Sequence, residues 1–224
     1  MKRILLSAIA IVALGTTAAQ AQEIGIGAKA GVNFANFGGD IEDASGRTGF
    51  HVGVVGTFKL SETFAIQPEI VFSQQGSQTE QVNMFMEDGV AMTQNREDKQ
   101  TLNYINVPIV AKYYITEGLS LHAGPQVGFL ISAKSKFDTT NTATAGGSSI
   151  STSASGEEDN KEGFETIDFG VVAGIGYELP MGLSFEARYN VGLSNVYKDS
   201  EGLDDMDITV NNNVLSVSVG YKFM

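Results

Sequence analysis

The chain contains no cysteine. That excludes a disulfide framework and thiol chemistry, so an exported form has to hold together without covalent staples. Positive charge is also scarce. Only 14 Lys and Arg stand against 26 Asp and Glu, a formal net charge of −12 over 224 residues. So acidic a chain repels phosphates, and nucleic acid is excluded as a partner. Long apolar runs are nearly missing: beyond the N-terminus no segment approaches the ~18 consecutive apolar residues of a membrane-crossing helix. Leu-rich helical periodicity is absent as well, whereas glycine is abundant at 26 residues.

The one apolar run, Ile4 to Leu14, follows the basic Met1-Lys2-Arg3 and is too short to span a bilayer as a helix. Small residues at Ala19 and Ala21 flank Gln20. This pattern predicts a secretory signal peptide over residues 1–21, cleaved after Ala21, rather than a retained anchor. The mature domain is then 22–224. Loss of Lys2 and Arg3 moves its net charge from −12 to −14.

The period present in the mature chain is two. Ile24, Ile26, Ala28, Ala30, Val32 and Phe34 alternate with Gly25, Gly27, Lys29, Gly31 and Asn33. Leu183, Phe185, Ala187, Tyr189 and Val191 alternate with Ser184, Glu186, Arg188 and Asn190. Six further stretches, beginning near Phe50, Phe64, Leu102, Leu119, Ile167 and Leu215, read the same way. Strand follows strand, and helix has no place. Tight turns at 60–63, 115–118 and 180–182 alternate with long polar connections at 35–47, 74–100, 133–164 and 195–212. This order predicts an all-β, eight-stranded antiparallel up-and-down transmembrane β-barrel. Its N- and C-termini and short turns face the periplasm, and its four long loops are extracellular. The stretch Asp138 to Gly156 reads as a low-complexity, mobile loop.

A soluble barrel would carry charge outside and grease inside. Here the apolar face bears no charge, while the other face is Gly, Ser, Asn and Gln with Lys29, Glu69, Lys112, His122, Glu186 and Arg188. The apolar face therefore meets lipid. The charged residues fall at similar heights, which predicts one interlocked cluster plugging the lumen; the alternative is a wet pore lined by separate charges. An eight-stranded barrel is about filled by its own side chains. Pro68, Pro108 and Pro125 interrupt strand-like runs in a wall without edges. They predict a belt of β-bulges, with the register of Tyr104 and Ile105 left ambiguous. Aromatics group near both ends, Tyr104 among those at the long-loop end, as two interfacial girdles.

The terminal VSVGYKF, with Gly220, Tyr221 and Phe223, resembles the insertion strand read by the barrel-assembly machinery, although the chain ends on Met224. IQPEIVFSQQG, LNYINVPIVAKYY, HAGPQVGFLIS, IDFGVVAGIGYEL and LSFEARYNVGLSNV resemble, in order and spacing, the strand motifs of the PorT-like outer-membrane β-barrel domains of Bacteroidetes. The resemblance covers nearly all of the mature chain. It implies an outer-membrane protein of the cell envelope whose partners are lipid, the assembly machinery and secretion-system or surface proteins, with no cofactor.

Catalytic signals are thin. His51 has Asp43 and Ser45 close in sequence near a predicted rim, and the second histidine, His122, lies deep. Leu203-Asp204-Asp205-Met206-Asp207 lacks the glycine and terminal glutamate of an EF-hand. Acidic residues such as Glu80, Glu97, Asp98, Glu157 and Glu158 crowd the outward connections and predict a cation-attracting mouth. The sequence thus predicts a non-enzymatic surface, assembly or secretion-accessory protein. The alternatives are a small cation-preferring pore and, behind it, a rim enzyme.

Overall fold

Eight antiparallel strands close into a ring in the computed structural model, which describes residues 24–39, 45–87, 89–198 and 209–223. The predicted signal segment 1–21, Asp43, the acidic run 203–207 and Met224 lie outside the described residues. The strands are β1 (Ile24–Gly39), β2 (Ser45–Lys59), β3 (Phe64–Glu87), β4 (Val90–Tyr114), β5 (Leu119–Ala145), β6 (Ser148–Asp159), β7 (Ile167–Glu178), β8 (Leu183–Gly192) and β9 (Val210–Lys222). All but β6 belong to the ring, which runs in chain order and is sealed by β1 against β9.

The period of two decides which face is which. Ile70 is 57% exposed and its neighbour Glu69 only 2%. The same contrast separates Tyr189 and Phe185 from Arg188 and Glu186. Outward positions of the ring are aliphatic or aromatic, and the inward ones hold the charges, as a barrel standing in lipid requires. Three tight turns join β2 to β3, β4 to β5 and β7 to β8, closed by bonds such as Leu60 N–H to the Phe64 carbonyl (2.9 Å) and Leu179 N–H to Leu183 (2.7 Å). In the last of these Gly182 has φ +85°, and a Cβ there would stand 2.7 Å from the Lys222 carbonyl oxygen.

Two of the long connections are not loops. β3 and β4 continue past the ring to Glu87 and Val90 as one paired ribbon, and β5 and β6 form another. The register Thr79–Asp98–Phe137–Gly156 joins them into a four-stranded sheet standing on the long-connection end. We call it the wing. The stretch 138–156, expected as a mobile loop, is its outer hairpin. Gly146 and Gly147 both have positive φ (58° and 83°), the backbone of a two-residue type I′ hairpin turn. Threonine and serine hydroxyls cross-link the two strands at Thr140–Ser153 (3.0 Å), Thr142–Ser151 (2.9 Å) and Thr144–Ser149 (2.8 Å). Among the described residues, pairing of β2 with β3 stops at Ser45–Gln78 and β6 pairs only with β5, so each side of the wing is an edge without a described partner.

The prolines sit without bulges, contrary to the expected belt. Register is unchanged through all three. The β2–β3 ladder omits the two pairs around Pro68, β3–β4 the two around Pro108, and β4–β5 the two around Pro125. On the other side each proline stays paired, with Ile109, Gln126 and Val171 respectively. An antiparallel residue exchanges both backbone bonds with one neighbour only. A missing N–H therefore opens one seam and leaves the opposite seam whole. The irregularities occur elsewhere, between Gly46 and His51 and between Asn103 and Tyr104. Tyr104 also leaves the predicted girdle: it points inward and is 1% exposed.

Candidate functional site

The candidate site is the lumen, which is filled at two levels. At the lower level Lys29 on β1, Glu69 on β3, Lys112 on β4, His122 on β5, and Glu186 and Arg188 on β8 come together from five strands. Arg188 holds both carboxylates, with Nη1 2.8 Å from Glu69 Oε1 and Nη2 2.8 Å from Glu186 Oε2. Lys29 Nζ lies 2.5 Å from Glu69 and 3.5 Å from Glu186. Lys112 donates to Glu186 (3.4 Å) and to Gln67 Oε1 (3.1 Å), and Gln67 in turn donates to Glu69 (2.7 Å). Thr57 also donates to Gln67, at 3.1 Å. Every charged member is at most 8% exposed. Burying ions so deeply costs several kcal/mol each unless partners surround them, and each one here has at least one. Lumen glycines make room: a Cβ on Gly176 would fall 2.7 Å from His122 Cε1.

The histidines are poor candidates for chemistry by their bonding. Arg188 Nε donates to His122 Nδ1 (3.2 Å), so that nitrogen is an acceptor and the proton sits on Nε2. Nε2 faces Ser120 Oγ at 2.8 Å and therefore donates to it. A base that is to activate a serine must accept from it, so the pair is wired in the opposite sense. His51 is 4% exposed and lies in the lumen rather than on a rim; its Nδ1 is 2.8 Å from Asn33 Oδ1. Among the described residues no group of three His, Cys, Asp or Glu could hold a metal.

The upper level is a polar layer under an apolar cap. Asn33 donates to Ser73 Oγ (2.9 Å) and to the Gln74 carbonyl (3.0 Å); Gln75 donates to Ser73 (2.8 Å), and Asn212 to Gln75. Above them Phe37, Leu102, Tyr104, Leu130, Phe164, Val196 and Val210 pack together. Phe164 and Val196 come from the connections flanking β7 and β8. Those connections are tied by Glu165 N–H to Val196 (2.9 Å), Lys198 N–H to Gly163 (3.1 Å) and Val196 N–H to Val210 (2.8 Å). The Phe164 and Tyr197 rings stack 4.8 Å apart. Period-two reading missed this cap because its residues lie in segments that read as polar loops. Between cap and cluster remains a cavity of about 50 Å³, room for roughly three water-sized particles.

Of the acidic residues expected at the mouth, Asp40, Glu42, Asp43, Asp88 and those at 199–207 lie outside the described residues. Four acids of the wing stand beside bases: Asp98 with Arg96 (2.7 Å), Glu97 with Lys99 (2.7 Å), Glu157 with Lys134 (2.6 Å) and Asp138 with Lys136 (3.0 Å). The hydrogen bond and charge of Lys134 hold the Glu157 carboxyl below its ordinary pKa. At the opposite end Gly220 points into the lumen, while Tyr221 and Phe223 stand outside, 49% and 60% exposed, with ring centroids 5.5 Å apart.

Comparison with curated proteins gives no match. Among solved structures the chain is similar to Ail, the attachment invasion locus protein of Yersinia pestis, at 16% identity and TM-score 0.46, covering 90% of this chain and 99% of that one. It is similar to Neisserial surface protein A at 11% identity and TM-score 0.40, covering 88% and 97%. It is also similar to the N-terminal β-barrel domain of Pseudomonas aeruginosa OprF at 10% identity and TM-score 0.29, covering 87% and 97%. At such likeness none of them speaks to function. The model of the outer membrane protein beta-barrel domain matches residues 19–198, most of the sequence. With an apolar ring outside and ion pairs inside, the chain belongs to the outer membrane protein β-barrel domain family.

Proposed function

We propose that the protein is a closed, non-catalytic component of the outer-membrane surface that works through its wing. In this reading the short turns and both termini are periplasmic and the wing is extracellular. Gly220, Tyr221 and Phe223 mark the strand handed to the barrel-assembly machinery. One observation carries the reading: the lumen is filled twice over, by the ion-pair cluster and by the apolar cap, while a four-stranded sheet whose two edges are unpaired among the described residues stands clear of the ring. Open edges are ready-made templates for pairing with another chain. The PorT-like resemblance supports a role as a secretion or assembly accessory, the wing being the part that meets the partner.

Deleting the gene and cataloguing surface and secreted proteins tests the accessory role. Complementation with a chain lacking 79–97 and 137–156 asks whether the wing is needed. Loss of particular proteins, restored by the full chain and not by the wingless one, is the expected result; an unchanged catalogue refutes the role. Planar-bilayer recording tests closure. Steady unitary currents altered by Lys112→Ala would show a pore instead. A cation-preferring pore gains no support from a lumen cluster of three cationic and two anionic side chains.

A further inference from the structure

The cluster does not balance. Lys29, Lys112 and Arg188 carry three positive charges, and Glu69 and Glu186 carry two negative ones. His122 adds none, since its Nδ1 accepts from Arg188. Three minus two leaves one surplus positive charge within the cluster. Of the other lumen carboxylates described, Glu178 is paired with Lys222 at 2.7 Å, which adds no net charge, and Asp168 is engaged elsewhere. It accepts from Ser194 at 2.7 Å, towards the mouth, and does not line the cavity above the cluster.

That cavity is lined on its lower side by Lys29 and Arg188 and on its upper side by Asn33, His51 and Ser73, with Asn190 and Ser216 beside them. Asn190 is 7% exposed, and neither its amide nitrogen nor its carbonyl oxygen has a protein partner. An amide buried without a partner is costly, and here it borders the space nearest the uncompensated charge. Glu69 also borders the cavity, but its oxygens are already taken by Lys29, Arg188 and Gln67. We propose that this cavity binds one small monovalent anion of the size of chloride or bromide, as the counter-charge of the lumen cluster. Lys29 and Arg188 supply the attraction and Asn190 Nδ2 a hydrogen bond. The volume of about 50 Å³ admits a halide.

Bromide is the probe. The mature chain is refolded into detergent in sodium bromide or in sodium gluconate of equal concentration. Folding is confirmed by the heat-modifiable gel mobility of closed barrels, and crystals of the bromide form are measured at the bromine edge. The expected result is one anomalous peak in the cavity beside Asn190, with a midpoint of thermal unfolding several degrees higher in bromide than in gluconate. Lys29→Gln, which removes the surplus charge, should abolish that difference. Asn190→Leu, which leaves every ion pair intact, should abolish the peak, and it decides the matter if Lys29→Gln does not fold. Bromide found on the exterior alone, an adventitious ion only, overturns the proposal. So do equal midpoints in the two salts.

Discussion

Glu186 is the most informative residue to change. Its carboxylate meets Arg188 at 2.8 Å, Lys112 at 3.4 Å and Lys29 at 3.5 Å, and the residue is 6% exposed. Glu186→Gln keeps the shape and removes the charge, leaving three cations to one anion. Breaking a buried ion pair by deleting one partner costs about 3–5 kcal/mol, or roughly a hundredfold to several thousandfold in the folding equilibrium. A control, Glu157→Gln, removes an exposed partner of Lys134 on the wing, where pairs contribute little. Urea titration of refolding into detergent micelles, followed by gel mobility, measures both. The double variant Glu186→Gln/Lys112→Gln restores the original excess of one positive charge and should recover part of the loss. Equal midpoints for Glu186→Gln and Glu157→Gln would mean that water screens the lumen charges and that the lumen is not closed.

Phe164→Ala empties the centre of the cap, and a loss of about 3–5 kcal/mol is expected from an aromatic so buried; the same urea titration reads it, and bilayer recording asks whether the mouth then leaks. Gly182→Ala forces a side chain into φ +85° against the Lys222 carbonyl and should lower stability by about 1 kcal/mol or more, measured in the same way. Deleting 79–97 and 137–156 should leave gel mobility and the thermal midpoint of the barrel unchanged, because the ring closes beneath the wing. The Glu157 carboxyl is held below its ordinary pKa, so its contribution is present above the unfolded value near 4.3 and fades as pH falls through the lower folded value. Hydrogen exchange over 148–159 should therefore quicken in acid relative to pH 6, while exchange in β8 should not.

Much of the barrel was legible because alternation is a direct image of the pleat. Once Glu69, Lys112 and Arg188 fall on one parity and Ile70, Tyr113 and Tyr189 on the other, inside and outside follow. A ring only eight strands round leaves the inward charges nowhere to go except towards one another. The wing was legible in principle and was missed. Gly146-Gly147 is a two-residue hairpin turn between threonine- and serine-rich flanks, but those flanks lack apolar alternation because neither face is buried. The cap was not legible: Phe164 and Val196 reach the mouth through irregular backbone, whose path no periodicity encodes. The proline error had a physical origin. A lost donor was equated with a lost register, although an antiparallel ladder can omit one rung and continue in step.

The omitted rungs are not spread around the circumference. They lie between β2 and β3, β3 and β4, and β4 and β5, three neighbouring joints on one flank, whereas the β7, β8 and β9 joints keep theirs. Such a cylinder is mechanically lopsided. Its stiff half resists shear, and its looser half gives first when the surrounding bilayer thickens, thins or bends, so that strain from the membrane is gathered along the staves from which the wing rises.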